Sequence, residues 1–378
     1  MNKLKFLSIL ILGAGIFQSI FSQDTNTGEV CPISTAKFYD SIRHWNLYRK
    51  KNGYERLDSC NVTGISENLL KYQNDDGGWP KNFDWLAKLD PDSLKNSLAS
   101  QQVISTLDNR NTFPQIEYLA KAYMITGKNQ YMDGAAKGID FLLTFQNKSG
   151  GWQGWDVDAI TFNDEITTGA MNLFLDIIEG KEIYSWVSDA KKDEIKTALK
   201  RAIDVVLNCQ IVVNGEKTAW CQQHDHKTFV PVKARTFELP SITANESVPV
   251  IEFLMRVKNP SEQVIDAINS AITWLEKSAM QGFRLERIPV DRKKYPEYKW
   301  NYDLKVVNDP ESPRIWARFY NIKDNKPFLC RRDGTVVFSL EEVDIERRTG
   351  YDWYGYWPEK LLTEEYPEWL KKNQSLNK

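Results

Sequence analysis

Apolar residues recur three and four positions apart along most of the chain, the spacing of one face of an α-helix. In 115–126 the series is Ile116, Leu119, Ala120, Tyr123 and Met124. Segments 131–146, 165–180, 191–210, 246–258 and 261–280 follow the same rule. Glu246 and Ser261 stand where helices begin, Gly127 and Gly180 where they end. Alternation with period two is scarce. Its clearest case is GTVVFSLEEV at 334–343, which predicts a short strand paired with the residues before it. Segment 286–313, rich in Lys, Tyr, Asp and Pro, reads as a long loop of the kind that carries function or is disordered. The expected class is all-α with a small β element.

A repeat lies across this pattern. LLKYQNDDGGWPKN at 69–82 and LLTFQNKSGGWQGW at 142–155 share LLxΦQNxxGGW, where Φ is an aromatic. A weaker third echo runs from VVLNCQ at 205–210 to GEKTAWCQQHD at 215–225. In each copy an apolar helix end meets Gln and then reaches Trp, and in the first two a glycine pair turns the chain between them. Helix, turn and loop at a fixed period indicate stacked helical hairpins. In an α/α toroid of such hairpins the loops gather at one end. The repeat is mainly architectural, and it also brings Trp79, Lys81, Asn82, Trp155, Asp164 and Gln223 to one rim.

Composition narrows the classes. Forty-nine basic and fifty-one acidic residues leave a net charge of −2, so there is no global basic field for nucleic acid. Thirteen Trp, sixteen Tyr and seventeen Phe serve core packing first, although sugar-binding clefts also use aromatic faces. Residues 1–22 have the form of a secretory signal: Lys3 and Lys5, an apolar run from Phe6 to Ile16, and small Ser22 before Gln23. The competing reading, a membrane anchor, is opposed by Gln18 and Ser19 and by the short run. Polar 23–35 is expected to be flexible, and 36–378 to form one domain. The expected location is secreted or periplasmic, with no membrane association after cleavage. Export permits disulfides, and Cys31–Cys60 and Cys209–Cys221 are plausible pairs among five cysteines.

The chemistry must come from few residues. The three histidines are His44, His224 and His226, and the pair in the polar run His224–His226 is more readily a solvated loop than a metal site. Motifs of serine hydrolases, zincins, phosphate loops and dinucleotide binders are absent. What remains is STLDNRNT at 105–112, TFNDE at 161–165 and KARTFELPS at 233–241. Asp108 beside Asn109, and Asp164 beside Asn163, precede predicted helices. Each suits an N-cap, and together they also suit an oxygen-rich site for a hard cation such as calcium. Arg235 alone reads as a surface salt-bridge residue.

These stretches, with NDDGGWPKN, ARFYNI at 317–322 and ERRTGYDWYGYWPEKLL at 346–362, carry a resemblance in order over nearly the whole mature chain. They look like polysaccharide lyase family 10, the pectate lyases. The resemblance implies an α/α toroid, a monomer, and calcium-dependent β-elimination of polygalacturonate. It matches Arg235 to the arginine proposed to take the C5 proton. It matches Asp108 and Asp164 to the acids around calcium. Arg318 resembles a second arginine that contacts substrate carboxylates, and Lys81, Asn82, Asn109 and Gln223 would line the cleft. Arg110 and Asn111 depart from the small residues usual after the Asp-Asn pair, and Thr236 and Phe237 stand where Ala-Tyr is common. Two alternatives stand beside this reading. One is a non-catalytic pectin-binding protein on the same scaffold. The other is a triterpene cyclase, prompted by QxxxGxW at 73–79 and 146–152 but lacking a DxDD acid motif.

Overall fold

The computed structural model describes residues 31–49, 54–88, 103–298 and 300–374. The signal-peptide expectation for 1–22, and most of the 23–35 segment expected to be flexible, lie outside the described residues. Nine helices of nine residues or more organise the described residues: α1 (Tyr39–Arg49), α2 (Val62–Tyr72), α3 (Phe113–Thr126), α4 (Asn129–Phe145), α5 (Ile166–Ile178), α6 (Asp189–Cys209), α7 (Ala244–Arg256), α8 (Glu262–Ser278) and α9 (Tyr366–Gln374). The expected segments from 115 to 280 are all helical, with no end moved by more than two residues. Among the described residues no helix is long and apolar enough to cross a membrane.

The helices pack as successive hairpins. α3 lies on α4, α5 on α6 and α7 on α8. The odd-numbered helices also touch in series, α3 with α5 and α5 with α7, and α6 touches α8. The turn between α3 and α4 is only Gly127 and Lys128, and Gly127 takes the left-handed conformation at φ 68° that ends a helix. Their facing sides form one large apolar core, with Trp79, Trp152, Trp220 and Trp316 wholly buried.

The repeated sequence is a structural clamp. Trp79 Nε1 donates to Leu69 O at 2.7 Å, Trp152 Nε1 to Leu142 O at 2.9 Å, and Trp220 Nε1 to Val206 O at 2.7 Å. Each indole thus binds the helix that precedes it. The Gln ties that helix to the next even-numbered one. Gln73 Nε2 donates to Gly134 O in α4 and Gln146 Nε2 to Ala198 O in α6; Gln210 Nε2 donates to Ala267 O in α8. The first glycine lets the turn press against that neighbour: Gly77 and Gly150 have φ of 91° and 113°, and a Cβ there would meet Lys137 O and Arg201 O at 2.2 and 2.5 Å. In the third copy a small hairpin, β2 (Val212–Val213) and β3 (Glu216–Lys217), replaces the glycine pair around an Asn214–Gly215 turn. A fourth copy is present too. Trp316 Nε1 donates to Leu275 O of α8 at 2.8 Å. An insertion of some thirty residues separates that Trp from its helix, which hid the period.

That insertion corrects the long-loop expectation for 286–313. β6 (Phe283–Pro289) and β7 (Tyr302–Asn308) form an antiparallel pair from Phe283↔Asn308 to Pro289↔Tyr302. Leu285, Leu304 and Val306 pack on the second core and Phe283 meets Tyr354 edge-on at 5.5 Å, but no residue of the pair is fully buried, so alternation is weak in the sequence. The remaining strands are short. β1 (Ile160–Thr161) pairs with β4 (Gln223–His224), and β8 (Trp316–Ala317) with β12 (Tyr354–Gly355). β5 (Ile242–Thr243), β9 (Phe319–Tyr320), β10 (Pro327–Cys330) and β11 (Val336–Val337) make a four-stranded sheet in the order β11-β10-β9-β5. The strand expected within 334–343 is therefore real at β11, and Leu340–Glu342 turns as a capped 3-10 helix. This sheet covers a second core of Phe237, Phe319, Phe328, Leu329 and Trp353.

Cys31 and Cys60 form a disulfide with Cα atoms 4.7 Å apart. Cys209 and Cys221 do not pair and are free, buried thiols, as is Cys330. Burial pushes Cys221 up to about 11 and Cys209 well above its ordinary value, which disfavours the thiolate that forms a bond.

Candidate active site

The loops that follow the clamps converge. After buried Trp79 the chain bridges back to Ser105 through Pro80, which sets 81–82 beside 108–109. Lys81 Nζ meets Asp108 Oδ2 at 2.5 Å and lies over the Trp155 ring, 4.1 Å from its centre. Asn109 Nδ2 donates to Asn82 Oδ1 at 2.6 Å. Asn82, Asn109, Arg110 and Thr112 all have positive φ, from 52° to 72°. Such backbone is costly for non-glycine residues and clusters at functional sites.

Asp164 lies in the 3-10 turn Asn163–Glu165, itself at φ 52°. Neither Asp108 nor Asp164 caps a helix. The capping positions of α3 and α5 are Thr112 and Glu165, and neither side chain makes a cap bond. The capping reading of the two acids therefore fails. Burial, then the nearby Asp108 and Asp40 charges, push the Asp164 carboxyl up to about 7, although Arg110 and Arg318 oppose this. Arg110 bridges Glu165 at 2.9 Å and Asp40 at 3.3 Å. Asn111 Nδ2 donates to Trp79 O and Thr106 O at 2.7 and 2.9 Å. The two departures after the Asp-Asn pair thus brace the loop.

The arginines lie on opposite ends of one polar chain. Arg235 is bound to Glu238 Oε1 and faces Asp156 Oδ2 at 3.7 Å. Burial works against its charge, but Glu238 outweighs burial and holds the guanidinium firmly protonated. Arg318 is buried, bound to Glu246 Oε1, donates to Asn163 Oδ1 at 3.1 Å, and stacks over Tyr351 at 4.3 Å. Tyr351 O–H donates to Glu238 Oε1 at 3.4 Å and receives Gln222 Nε2 at 3.0 Å. Gln222 Nε2 also reaches Glu246 Oε1 at 2.8 Å. So the carboxylates that hold the two arginines are joined through Tyr351 and Gln222. Burial raises Asp156, Arg235 opposes it, and Asp108 and Glu238 add to it, which puts Asp156 in the field of both acids.

Lys81, Asn82, Asp108, Asn109, Asp164, Arg235 and Arg318 are thus brought into one electrostatic neighbourhood. Gln223 is placed differently: it is buried in β4, paired with Thr161, and its neighbour Gln222 reaches the polar chain instead. The histidine pair is structural. His224 Nδ1 donates to Phe229 O at 2.7 Å and Nε2 receives the Cys221 N–H at 2.9 Å, while His226 faces Asp158 at 3.1 Å. Glu238, Glu246, Gln222, Tyr351 and Asp156 were not singled out from sequence. Only Glu238, three residues after Arg235, carried a local signal, because that spacing brings opposite charges together in a helical turn.

The loops of successive helical hairpins thus gather two acids, two braced arginines and several amides. The profile of the family described as Pectic acid lyase matches residues 73–362. The chain belongs to that family and is a pectate lyase. Two solved structures are similar. A mutant of the Family 10 polysaccharide lyase from Cellvibrio cellulosa, in complex with trigalaturonic acid, aligns at TM-score 0.67 and 26% identity over 81% of this chain and 94% of its own. The Family 10 polysaccharide lyase of the same organism aligns at TM-score 0.67 and 25% identity, over 89% and 99%. A type II terpene cyclase from Scytonema reaches only TM-score 0.33 at 12% identity over 71% and 75%, too remote to support the cyclase alternative. No curated protein sequence matches this chain.

Proposed function

We propose that this chain is a secreted or periplasmic, monomeric, calcium-dependent pectate lyase that cleaves de-esterified polygalacturonate by β-elimination. The observation that carries this is the closeness of Asp164 to Asp108, with Asp156 between the fields of Asp108 and Arg235. A buried acid pushed further toward its protonated form by a neighbouring carboxylate suits a divalent cation. Among the described residues no three acidic, His or Cys groups converge for a metal. Two protein carboxylates therefore leave most of a calcium ion's six to eight oxygen positions open for the substrate carboxylate, with Asn109 and Asn163 close by. Bound there, calcium would neutralise that carboxylate and make the adjacent C5 proton more acidic.

The chain's own residues supply the rest. Lys81 is free to turn from Asp108 to the sugar carboxylate once a cation takes its place. Arg235 is the candidate acceptor of the C5 proton. As that C–H bond breaks, its electrons form the C4–C5 double bond, the C4–O4 bond breaks, and the departing O4 takes a proton from water. Since Glu238 holds Arg235 charged, it can accept a proton only after losing one, which calls for alkaline pH. The same contact favours a second reading: Arg235 stays cationic and stabilises the developing charge, and hydroxide takes the proton. The alternation of hairpins supports an α/α toroid, with this site at its loop end.

Purified protein is incubated with polygalacturonate and followed by the ultraviolet absorbance of unsaturated uronides, with calcium and with EDTA. Absorbance should rise with calcium, vanish with EDTA and vanish in Arg235→Ala. Arg235→Lys separates the two roles. A retained rate that grows with hydroxide supports the charge-stabilising role, and complete loss supports the base. Flat traces for the wild type at every pH, with polymer still bound, would instead favour the pectin-binding alternative.

A further inference from the structure

The β6–β7 hairpin belongs neither to the helical core nor to the residues above. Its root is fixed beside the candidate site. Leu285, Leu304 and Val306 pack on the second core, which also contains Phe237 and supports Tyr351. Arg348 holds Asp303 with two bonds of 2.8 and 2.6 Å. Along a strand, alternate residues share a face. Leu285, Arg287 and Pro289 therefore share one side with their partners Val306, Leu304 and Tyr302. That side is apolar at the root and becomes cationic and aromatic further out. The Arg287 guanidinium lies 4.8 Å above the Tyr302 ring, and Tyr302 stacks on Trp300 at 6.5 Å and 17°. At the tip Lys294 lies 5.2 Å from the centre of Tyr295, which is 43% exposed and packs edge-on to Tyr298 at 6.4 Å.

The charge is local. Residues 283–308 contain seven basic and four acidic side chains, in a chain whose net charge is −2. Two of the acids are committed, Glu286 to Arg284 and Asp303 to Arg348. Arg287, Arg292, Lys293 and Lys294 are exposed and form no ion pair among the described residues. Partly exposed rings beneath cations that form no ion pair match a polyuronate, whose sugars present a C–H face and a carboxylate at every unit. Seven-residue strands extend roughly 20 Å from the body, long enough for several sugars.

We propose that this hairpin is an accessory arm that binds a polygalacturonate chain outside the cleft and keeps long polymer on the enzyme. It rests on the lyase reading for its ligand and adds a second contact surface for it. The test compares wild type with Arg292→Gln/Lys293→Gln/Lys294→Gln and with Arg287→Gln/Tyr295→Ala, all at exposed positions. Elimination kinetics are measured on polygalacturonate and on trigalacturonate, and thermal melting checks folding. Retardation in polygalacturonate-containing gels reads binding without turnover. The KM for polymer should rise about fivefold at unchanged kcat, with trimer kinetics unchanged and gel retardation lost; this is the scale of a few exposed charge contacts. Unchanged polymer KM and retardation in both folded variants would overturn the arm, as would equal losses on trimer and polymer. Equal retention of duplex DNA would overturn its assignment to polyuronate. Wild-type retardation without any unsaturated product would sink the lyase reading and leave the arm standing.

Discussion

The two ends of the helical hairpins are built on different rules. At the turn end, α2, α6 and α8 begin with Asn61, Ser188 and Ser261, whose side chains accept from Gly64, Lys191 and Val264 N–H. At the loop end, α3, α5 and α7 begin at Thr112, Glu165 and Thr243 with no side-chain cap bond. Six residues there, Asn82, Asn109, Arg110, Thr112, Asp164 and Glu165, adopt left-handed backbone without being glycine. Each such residue costs on the order of 1 kcal/mol. The strained end is the one that presents Asp108, Asp164 and Lys81. It is tolerated because the Trp and Gln clamps fix the helices just behind it. Local preference shapes one end, and the other departs from it.

The comparison predicts that substitutions at the loop end cost activity and those behind it cost stability. The largest effect is expected for Arg235→Ala, with kcat/KM lower by about a thousandfold or more and little change in melting, read by product absorbance. Next comes Gln146→Ala. It strands Gly150 O and Ala198 O, and takes the acceptor from Arg201, so denaturant unfolding should show a loss of about 3 kcal/mol. A larger fall in activity than in stability there would break the division between the ends.

A pH effect follows in size. Burial lowers the His224 imidazole to about 4, against the raising influence of its bond to Phe229 O, whereas an ordinary His titrates near 6.5. Between those values the unfolded chain binds a proton that the folded chain refuses. This residue's contribution is thus full above 6.5 and is lost as pH falls toward 4, on the order of 2 kcal/mol. Denaturant titrations at pH 7.5 and 4.5 should show His224→Gln to be less stable at the higher pH and less acid-sensitive than wild type. The smallest effect is Ser188→Ala at the turn end: about 1 kcal/mol less stable with unchanged kinetics. A kinetic change there would mean that the two ends are coupled.

The helices were legible because each buries one apolar stripe, as 115–126 does through Ile116, Leu119 and Ala120 with Tyr123 half-buried, although Met124, expected on that face, is exposed. The clamp was visible as LLxΦQNxxGGW, but not its bonds, since the acceptors Gly134 and Ala198 lie far along the chain. The fourth Trp316 was hidden by an inserted hairpin whose two faces are mostly solvated. Asp108 and Asp164 drew notice as acids beside amides ahead of predicted helices, whereas Arg235 alone read as a surface salt-bridge residue and was distinguished only by the family resemblance. Glu246 and Tyr351 drew no notice. A Glu in a helix and a Tyr among aromatics look ordinary until Arg318 and Gln222 fold against them. Cys209 and Cys221 matched by spacing alone, and buried thiols do not need to bond.

The central claim is that the two crowded acids at the strained end hold the calcium that makes elimination possible. The direct test is the initial rate of unsaturated-uronide formation against calcium concentration, for wild type and Asp164→Asn at pH 8.5. The account predicts a saturating calcium dependence in wild type and at least a tenfold higher calcium requirement in the variant, the scale expected for losing one charged ligand. A wild-type rate indifferent to calcium, or identical calcium curves for the two proteins, would contradict it.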